Sequence, residues 1–162
     1  MRATLAKTVE TLKELIAQPD VVLLDLEASS REEALIALHG RLAAQPGVTD
    51  GKRFFDDMME RLMLASVCIA DDVALPHART ASVERLVLGV ARLAAPGVAF
   101  DGDHPNIRLM FMIGTPRQQV EQYLRVVAAI SRLLRGAGTR AGLLAAKTES
   151  DFRALLARGA DV

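Results

Sequence analysis

The stretch Ile107 to Ile113 is almost wholly apolar once Arg108 is passed, and Gly114-Thr115-Pro116 closes it. An apolar run bounded by turn residues, without a polar residue at every second position, predicts a central strand buried on both faces. Such a strand needs neighbours on its edges and helices over its faces. That demand points to an α/β arrangement before any other residue is considered.

The remaining pattern supplies those parts. Val9, Leu12, Leu15 and Ile16 recur at helical spacing ahead of Pro19, which predicts a helix over about residues 1–18. Val21 to Leu26 reads as a strand. Ser29 or Ser30 caps the next helix, with Glu32 and Glu33 in its first turn, where they suit the helix dipole. Ala34, Leu35, Leu38 and Leu42 form one side of that helix, which stops near Pro46-Gly47. Thr49 or Asp50 caps a further helix from about Lys52 to Ala65, with Phe55, Met58, Met59 and Leu62 facing inward. Val67 to Leu75 is extended and broken by a turn at Asp71-Asp72. Arg85 to Leu93 is a strand ended by Pro96-Gly97, and Asp101-Gly102-Asp103 is a turn. Val120 to Leu134 carries Leu124, Val127, Ala128, Ser131 and Leu134 at helical intervals, and Gly136 and Gly138 close it. Two short helices follow, over about Thr139 to Ala146 and Ser150 to Leu156. The expected fold is one α/β domain over residues 1–162, a mixed β-sheet covered by helices on both faces.

Composition narrows the partners. With 51% apolar residues the chain can bury a core and is not a disordered segment. Lys plus Arg and Asp plus Glu balance at 20 each, so bulk charge draws it neither to nucleic acid nor to an anionic membrane. No tryptophan and one tyrosine leave little for base stacking. No run has the length of a membrane span, so direct membrane insertion is not expected. A single cysteine cannot close an internal disulfide, which makes the cytoplasm the default setting.

Chemistry concentrates at Leu75-Pro76-His77-Ala78-Arg79. Pro76 fixes its own φ and biases Leu75 toward extended backbone, so the imidazole of His77 is presented at a strand end from a stiff segment. A neutral imidazole can attack phosphorus if one nitrogen is unprotonated and exposed while the other is held by a hydrogen bond. The local sequence fits equally a histidine at a turn, in the core or on the surface. Arg79 lies two residues on, where a continued strand would place it on the face of His77; it can hold phosphoryl oxygens, or equally it is a solvated arginine. Arg61 on the preceding helix can steady phosphate, although an ion pair with Asp57 at i,i+4 is the slightly better local reading. His39 and His104 read as structural or loop residues. The three histidines and one cysteine show no metal-ligand spacing, Cys68 reads as a buried thiol, and no glycine-rich loop supports a nucleotide.

The segment Asp71-Asp72-Val73-Ala74-Leu75-Pro76-His77-Ala78-Arg79 resembles the phosphohistidine motif of the enzyme IIA domain of the bacterial sugar phosphotransferase system. The likeness is to the fructose–mannitol class, which includes nitrogen-regulatory relatives. It extends over nearly the whole chain: Leu23 to Leu26 with Arg31 to Leu35, Phe54 to Arg61, Leu109 to Pro116, and Leu143 to Thr148 occur in the family's order. The resemblance implies that His77 receives a phosphoryl group from an HPr-like phosphocarrier and passes it to an enzyme IIB domain. In regulatory relatives the phosphorylation state controls another protein. No cofactor, nucleotide or metal is implied at this step. Apolar helix faces leave a homodimer open.

Two departures stand out. Family members often carry a second histidine early in the helix after the central strand, and Tyr123 takes that place here. A phenol can donate to a phosphoryl oxygen but lacks the near-neutral titration of imidazole. The approach to the motif reads Ser66-Val67-Cys68-Ile69, so Ser66 keeps a hydroxyl for a phosphoryl contact while Val67 and Cys68 lose the usual hydroxyl and glycine.

Overall fold

The structure is a computed structural model that describes residues 12–160. The chain divides into two compact units, a sheet unit over Asp20–Gln119 and a helical unit made from Met1–Pro19 and Val120–Val162.

In the sheet unit the elements run β1 (Val21–Leu26), α2 (Arg31–Leu42), α3 (Gly51–Leu64), β2 (Cys68–Ala70), β3 (Val73–Ala74), β4 (His77–Thr80), β5 (Val87–Leu93) and β6 (Leu109–Pro116). A short α1 precedes them at 12–17, and the rest of the expected N-terminal helix lies outside the described residues. The sheet order is β1-β5-β6-β3-β2, and β4 also pairs with β6, beyond β3. β1 lies parallel to β5, β3 and β4 lie parallel to β6, and β5 and β6 are antiparallel. The sheet is mixed and the fold class is α/β, as the strand and helix alternation demands.

The run at Ile107 is central for the reason its composition suggests. Every residue of β6 is buried, as is every residue of β5. One face of these strands, with Val87, Ala91, Met110 and Met112, joins Ala34, Leu35, Leu38 and Leu42 of α2 and Phe54 and Met58 of α3 in one core. Strand alternation puts Leu88, Val90, Phe111 and Ile113 on the other face, and these are buried too. β6 extends through Gly114-Thr115-Pro116 instead of ending there, because β4 pairs with residues Ile113 to Pro116. Gly114 cannot carry a side chain in this strand: a Cβ would stand 2.8 Å from the Phe54 ring and 3.0 Å from Val87.

Both helices of this unit begin as their caps dictate. Ser30 Oγ accepts from the Glu33 backbone N–H at 3.1 Å, and the Glu33 carboxylate reaches back to Ser29. Asp50 accepts from the Arg53 N–H and starts α3. Of the residues expected to face inward on α3, Met58 is fully buried and Phe55, Met59 and Leu62 are half-buried against the core, while the fully buried Phe54 was not among them.

The helical unit holds α4 (Val120–Arg135), α5 (Ala137–Ala145) and α6 (Glu149–Ala160) with α1. Its buried side chains include Leu12, Ile16, Val126, Ile130, Leu133, Leu143, Phe152 and Leu156. Arg153 of α6 pairs with Glu149 at 3.1 Å and donates to the Pro19 carbonyl at 3.1 Å, which ties the end of the α1 segment to α6. The expected inner stripe of α4 is corrected here. Of that stripe Leu134 is buried but Leu124 is 59% exposed, and Val126, Ile130 and Leu133 supply the rest of the buried side. Two apolar stripes run along this helix, and periodicity alone does not rank them. Gly138 lies inside α5 and Gly136 caps it, so only Gly136 stands at the boundary between the two helices.

Candidate functional site

The loop that carries His77 is pinned from three directions. Asp71-Asp72 turn β2 back into β3, and the Asp72 carbonyl accepts from the Arg108 and Leu109 N–H groups at 2.8 and 3.0 Å. The Leu75 N–H donates to the Val67 carbonyl at 2.8 Å. The Pro76 carbonyl accepts from the Ile113 N–H at 3.0 Å, and β4 then runs alongside β6. Thr80, at the far end of β4, donates through Oγ1 to Asp57 Oδ2 of α3 at 2.6 Å. Both ends of the histidine-bearing strand are thus fixed to the unit's core elements.

His77 is the first residue of β4. Its Nδ1 lies 2.6 Å from the Leu75 carbonyl oxygen. A carbonyl only accepts, so Nδ1 carries a proton and Nε2 is the basic nitrogen of the neutral ring. Burial pushes the imidazole pKa below its ordinary 6.5; the Leu75 carbonyl acts against this and the Arg61 charge adds to it. The lowered pKa favours the neutral ring at neutral pH, with Nε2 as its unprotonated nitrogen. The residue is only 7% exposed, however, so the expected open presentation is corrected to a nearly covered one. His77 stands on an edge strand, β4, beside Ile113 of the fully buried β6.

Each other residue singled out in the sequence has a definite place. Arg61, half-buried on α3, donates to the Ala65 carbonyl at 3.2 Å, and Asp57 is engaged by Thr80 in place of the expected pair with Arg61. Arg61 acts on His77 through its charge. Arg79 is exposed and shares the strand face of His77, with Thr115 as its register partner on β6. Ser66 is committed elsewhere: its Oγ donates to Asp101 Oδ2 at 3.0 Å and accepts from the Cys68 N–H at 3.2 Å. Tyr123 stands half-buried in the first turn of α4, in the helical unit.

Sequence reasoning missed the Leu75 carbonyl, which selects the tautomer of His77, and the Thr80–Asp57 bond. Neither has a signal in residue type: the first is a local contact set by the backbone at Pro76, and the second joins β4 to α3 across 23 residues. His39 is structural, as expected: it packs edge-on against Phe54 and Phe55 at ring-centroid distances of 5.3 and 4.9 Å. Burial also lowers its pKa, against a hydrogen bond to the Gly51 backbone. Cys68, Asp101 and His104, read in the sequence as scattered, come together in space with ligand atoms within 4.8 Å of one another. The signal for two of its three members was present in the i,i+3 spacing of Asp101 and His104 across a turn.

A buried and a half-buried imidazole, His77 and His39, both with lowered pKa values, give a signed pH dependence. Above the ordinary value of 6.5 both rings are neutral folded or unfolded, and stability is full. As the pH falls below it, the unfolded chain takes up protons first, so stability declines. The urea midpoint is expected to drop between about pH 7 and about pH 5, ahead of the carboxylates, whose titration lies lower. A midpoint flat over that window means that neither ring is held neutral by burial.

Comparison with known proteins places this chain. The family described as "Phosphoenolpyruvate-dependent sugar phosphotransferase system, EIIA 2" matches residues 15–159, and the chain belongs to that family. It is 31% identical over 133 residues to the PTS system fructose-specific EIIA component of Haloferax volcanii, covering 81% of this chain and 86% of that one. It is 28% identical over 125 residues to the nitrogen regulatory protein of Bradyrhizobium diazoefficiens, covering 76% and 80%. The PTS system 2-O-alpha-mannosyl-D-glycerate-specific EIIABC component of Escherichia coli is 27% identical over 140 residues, which are 85% of this chain but span only 21% of that longer protein. Among solved structures, the nitrogen regulatory protein IIA-Ntr of Neisseria meningitidis shares the fold, with a TM-score of 0.77, 20% identity and coverage of 90% of this chain and 99% of that one. Among the described residues no helix is long and apolar enough to cross a membrane.

Proposed function

We propose that this chain is a regulatory enzyme IIA-like protein: His77 accepts a phosphoryl group from an HPr-like phosphocarrier, and the state of that histidine controls binding to a partner protein. Onward transfer to a sugar-specific enzyme IIB domain is weak or absent in this reading. The whole chain, 1–162, serves as the one phosphotransfer module.

The observation that carries the proposal is the His77 geometry. A Leu75 carbonyl on Nδ1 leaves Nε2 as the nucleophile in this reading, with Arg61, whose charge His77 senses, and Arg79, two residues along β4, as the cations for phosphoryl oxygens. The bond from Nε2 to phosphorus forms as the carrier's nitrogen–phosphorus bond breaks, and the carrier's imidazole takes that electron pair and leaves neutral because its other ring nitrogen holds a proton. Tyr123 in place of the second histidine, together with a ring only 7% exposed, suits slow exchange better than rapid relay. The 28% identity to a nitrogen regulatory protein supports the same direction. Ser66 is given a lesser part than its sequence position suggested, because Asp101 holds its hydroxyl.

A second reading has its own support. The 31% identity to a fructose-specific EIIA component favours a carrier that hands phosphate to an enzyme IIB domain during sugar uptake.

One experiment separates them. The chain is labelled from phosphorylated HPr, then offered an enzyme IIB domain. The regulatory reading expects a label that persists on this chain, and transfer raised roughly tenfold or more by Tyr123→His, the scale on which a positioned acid–base group acts. Rapid discharge of the unaltered chain, indifferent to Tyr123→His, overturns it in favour of transport.

A further inference from the structure

Cys68 opens β2, and Asp101 and His104 face each other across the turn at Gly102, bridged in both directions by backbone hydrogen bonds of 3.3 Å between them and 3.0 Å from Phe100 to His104. Asp101 is the hub. Its Oδ1 accepts from His104 Nδ1 at 2.7 Å and from the Asp103 N–H at 2.9 Å. Its Oδ2 accepts from Ser66 Oγ at 3.0 Å and lies 3.8 Å from Cys68 Sγ. Cys68 and Asp101 line a surface hollow of about 360 Å³, together with Arg31, Met63, Ser66 and Phe100.

We propose that Cys68, Asp101 and His104 form a binding site for a zinc-class divalent cation, with solvent completing the coordination. One sulfur, one imidazole nitrogen and one carboxylate oxygen make a donor set that favours zinc over magnesium or calcium, which take oxygen. Zinc–ligand bonds of about 2.0–2.3 Å place tetrahedral ligands roughly 3.3–3.6 Å apart. The Cys68–Asp101 separation of 3.8 Å is already close to that edge. The 2.7 Å edge between His104 and Asp101 is shorter because a proton bridges it, and the ion replaces that bridge. On binding, the Cys68 thiol gives its proton to solvent and a sulfur–metal bond forms, while the His104 proton moves from Nδ1 to Nε2 by exchange with solvent so that Nδ1 ligates.

The surroundings set both strength and consequence. Arg31 lines the hollow, donates to the Phe100 carbonyl at 3.0 Å and pairs with Glu32 at 3.1 Å, so part of its opposing charge is balanced. Cys68 follows Val67, whose carbonyl accepts from Leu75, and the Leu75 carbonyl holds His77. An ion on Cys68 thus stiffens the strand that backs the histidine loop, from a place outside the His77 site.

The test uses the full chain freed of metal. Because Cys68 is its only thiol, alkylation reads the site without any substitution. One equivalent of zinc is expected to slow alkylation about tenfold or more, and magnesium to leave it unchanged. One equivalent of cobalt(II) is expected to give a thiolate charge-transfer band with tetrahedral ligand-field bands, which zinc displaces. Cys68→Ser and His104→Gln each remove the bands, and His39→Gln retains them. Unprotected alkylation overturns the proposal whether or not the variants fold. Bands that survive His104→Gln overturn it equally, since the thiol alone is then the ligand.

Discussion

His77→Ala is expected to abolish labelling by phosphorylated HPr, with no residual signal above a chain lacking the nucleophile. The unaltered chain should carry a phosphate that is acid-labile and base-stable, as a phosphoramidate on Nε2 requires. The reasoning is stereochemical. The Leu75 carbonyl sits 2.6 Å from Nδ1 and holds the proton there, so the lone pair of the neutral ring belongs to Nε2. Among the described residues the other two imidazoles are committed differently: His39 is packed between two phenylalanine rings and His104 is held by Asp101. Removing the ring leaves one backbone carbonyl without its donor, a cost of about 1–3 kcal/mol, while β4 keeps its pairing to β6. The variant should therefore remain folded by circular dichroism, and loss of label cannot be assigned to unfolding. Persistent labelling in a folded His77→Ala chain would remove the basis of the functional proposal.

Phe54→Ala should produce the largest loss of stability of any single truncation in the sheet unit, about 3–5 kcal/mol in urea unfolding. Phe54 is fully buried and belongs to the core beneath β5 and β6. Its ring fits over Gly114, where even a Cβ would come to 2.8 Å, and it meets the edge of His39. Those neighbours are rigid strand and helix positions, so the space left by the ring cannot collapse cheaply. Met63→Ala, nine positions along the same helix but 86% exposed, is the control and should stay within about 0.5 kcal/mol. A small effect at Phe54 would mean that α3 does not pack on the sheet as described.

The residues at these two sites differ in how openly the sequence announced them. His77 was legible because proline before a histidine at the end of an apolar run is an unusual, stiff setting, and the surrounding nine residues match a family motif. Phe54 was passed over for Phe55, since a helical stripe read from spacing is uncertain by one position when adjacent residues are both aromatic. The same ambiguity misplaced the inner face of α4, where Leu124 proved exposed and Val126 buried. β4 was not anticipated as a strand of its own. Four residues with an arginine and a threonine carry too little pattern, and only the partner strand makes them one. The Cys68, Asp101 and His104 cluster shows the limit from another side, because more than thirty residues separate the thiol from its neighbours.

Local physical chemistry determined the helix starts at Ser30 and Asp50, the central place of the Ile107 run, the α/β class and the candidate nucleophile. Each of these depends on residues close together in the chain, where capping, periodicity and backbone stiffness act directly. Tertiary structure alone decided that His77 is nearly covered, that Ser66 serves Asp101, and which side of each helix faces inward. Those outcomes depend on hydrogen bonds and packing between segments distant in sequence, and no local pattern encodes which distant atom arrives.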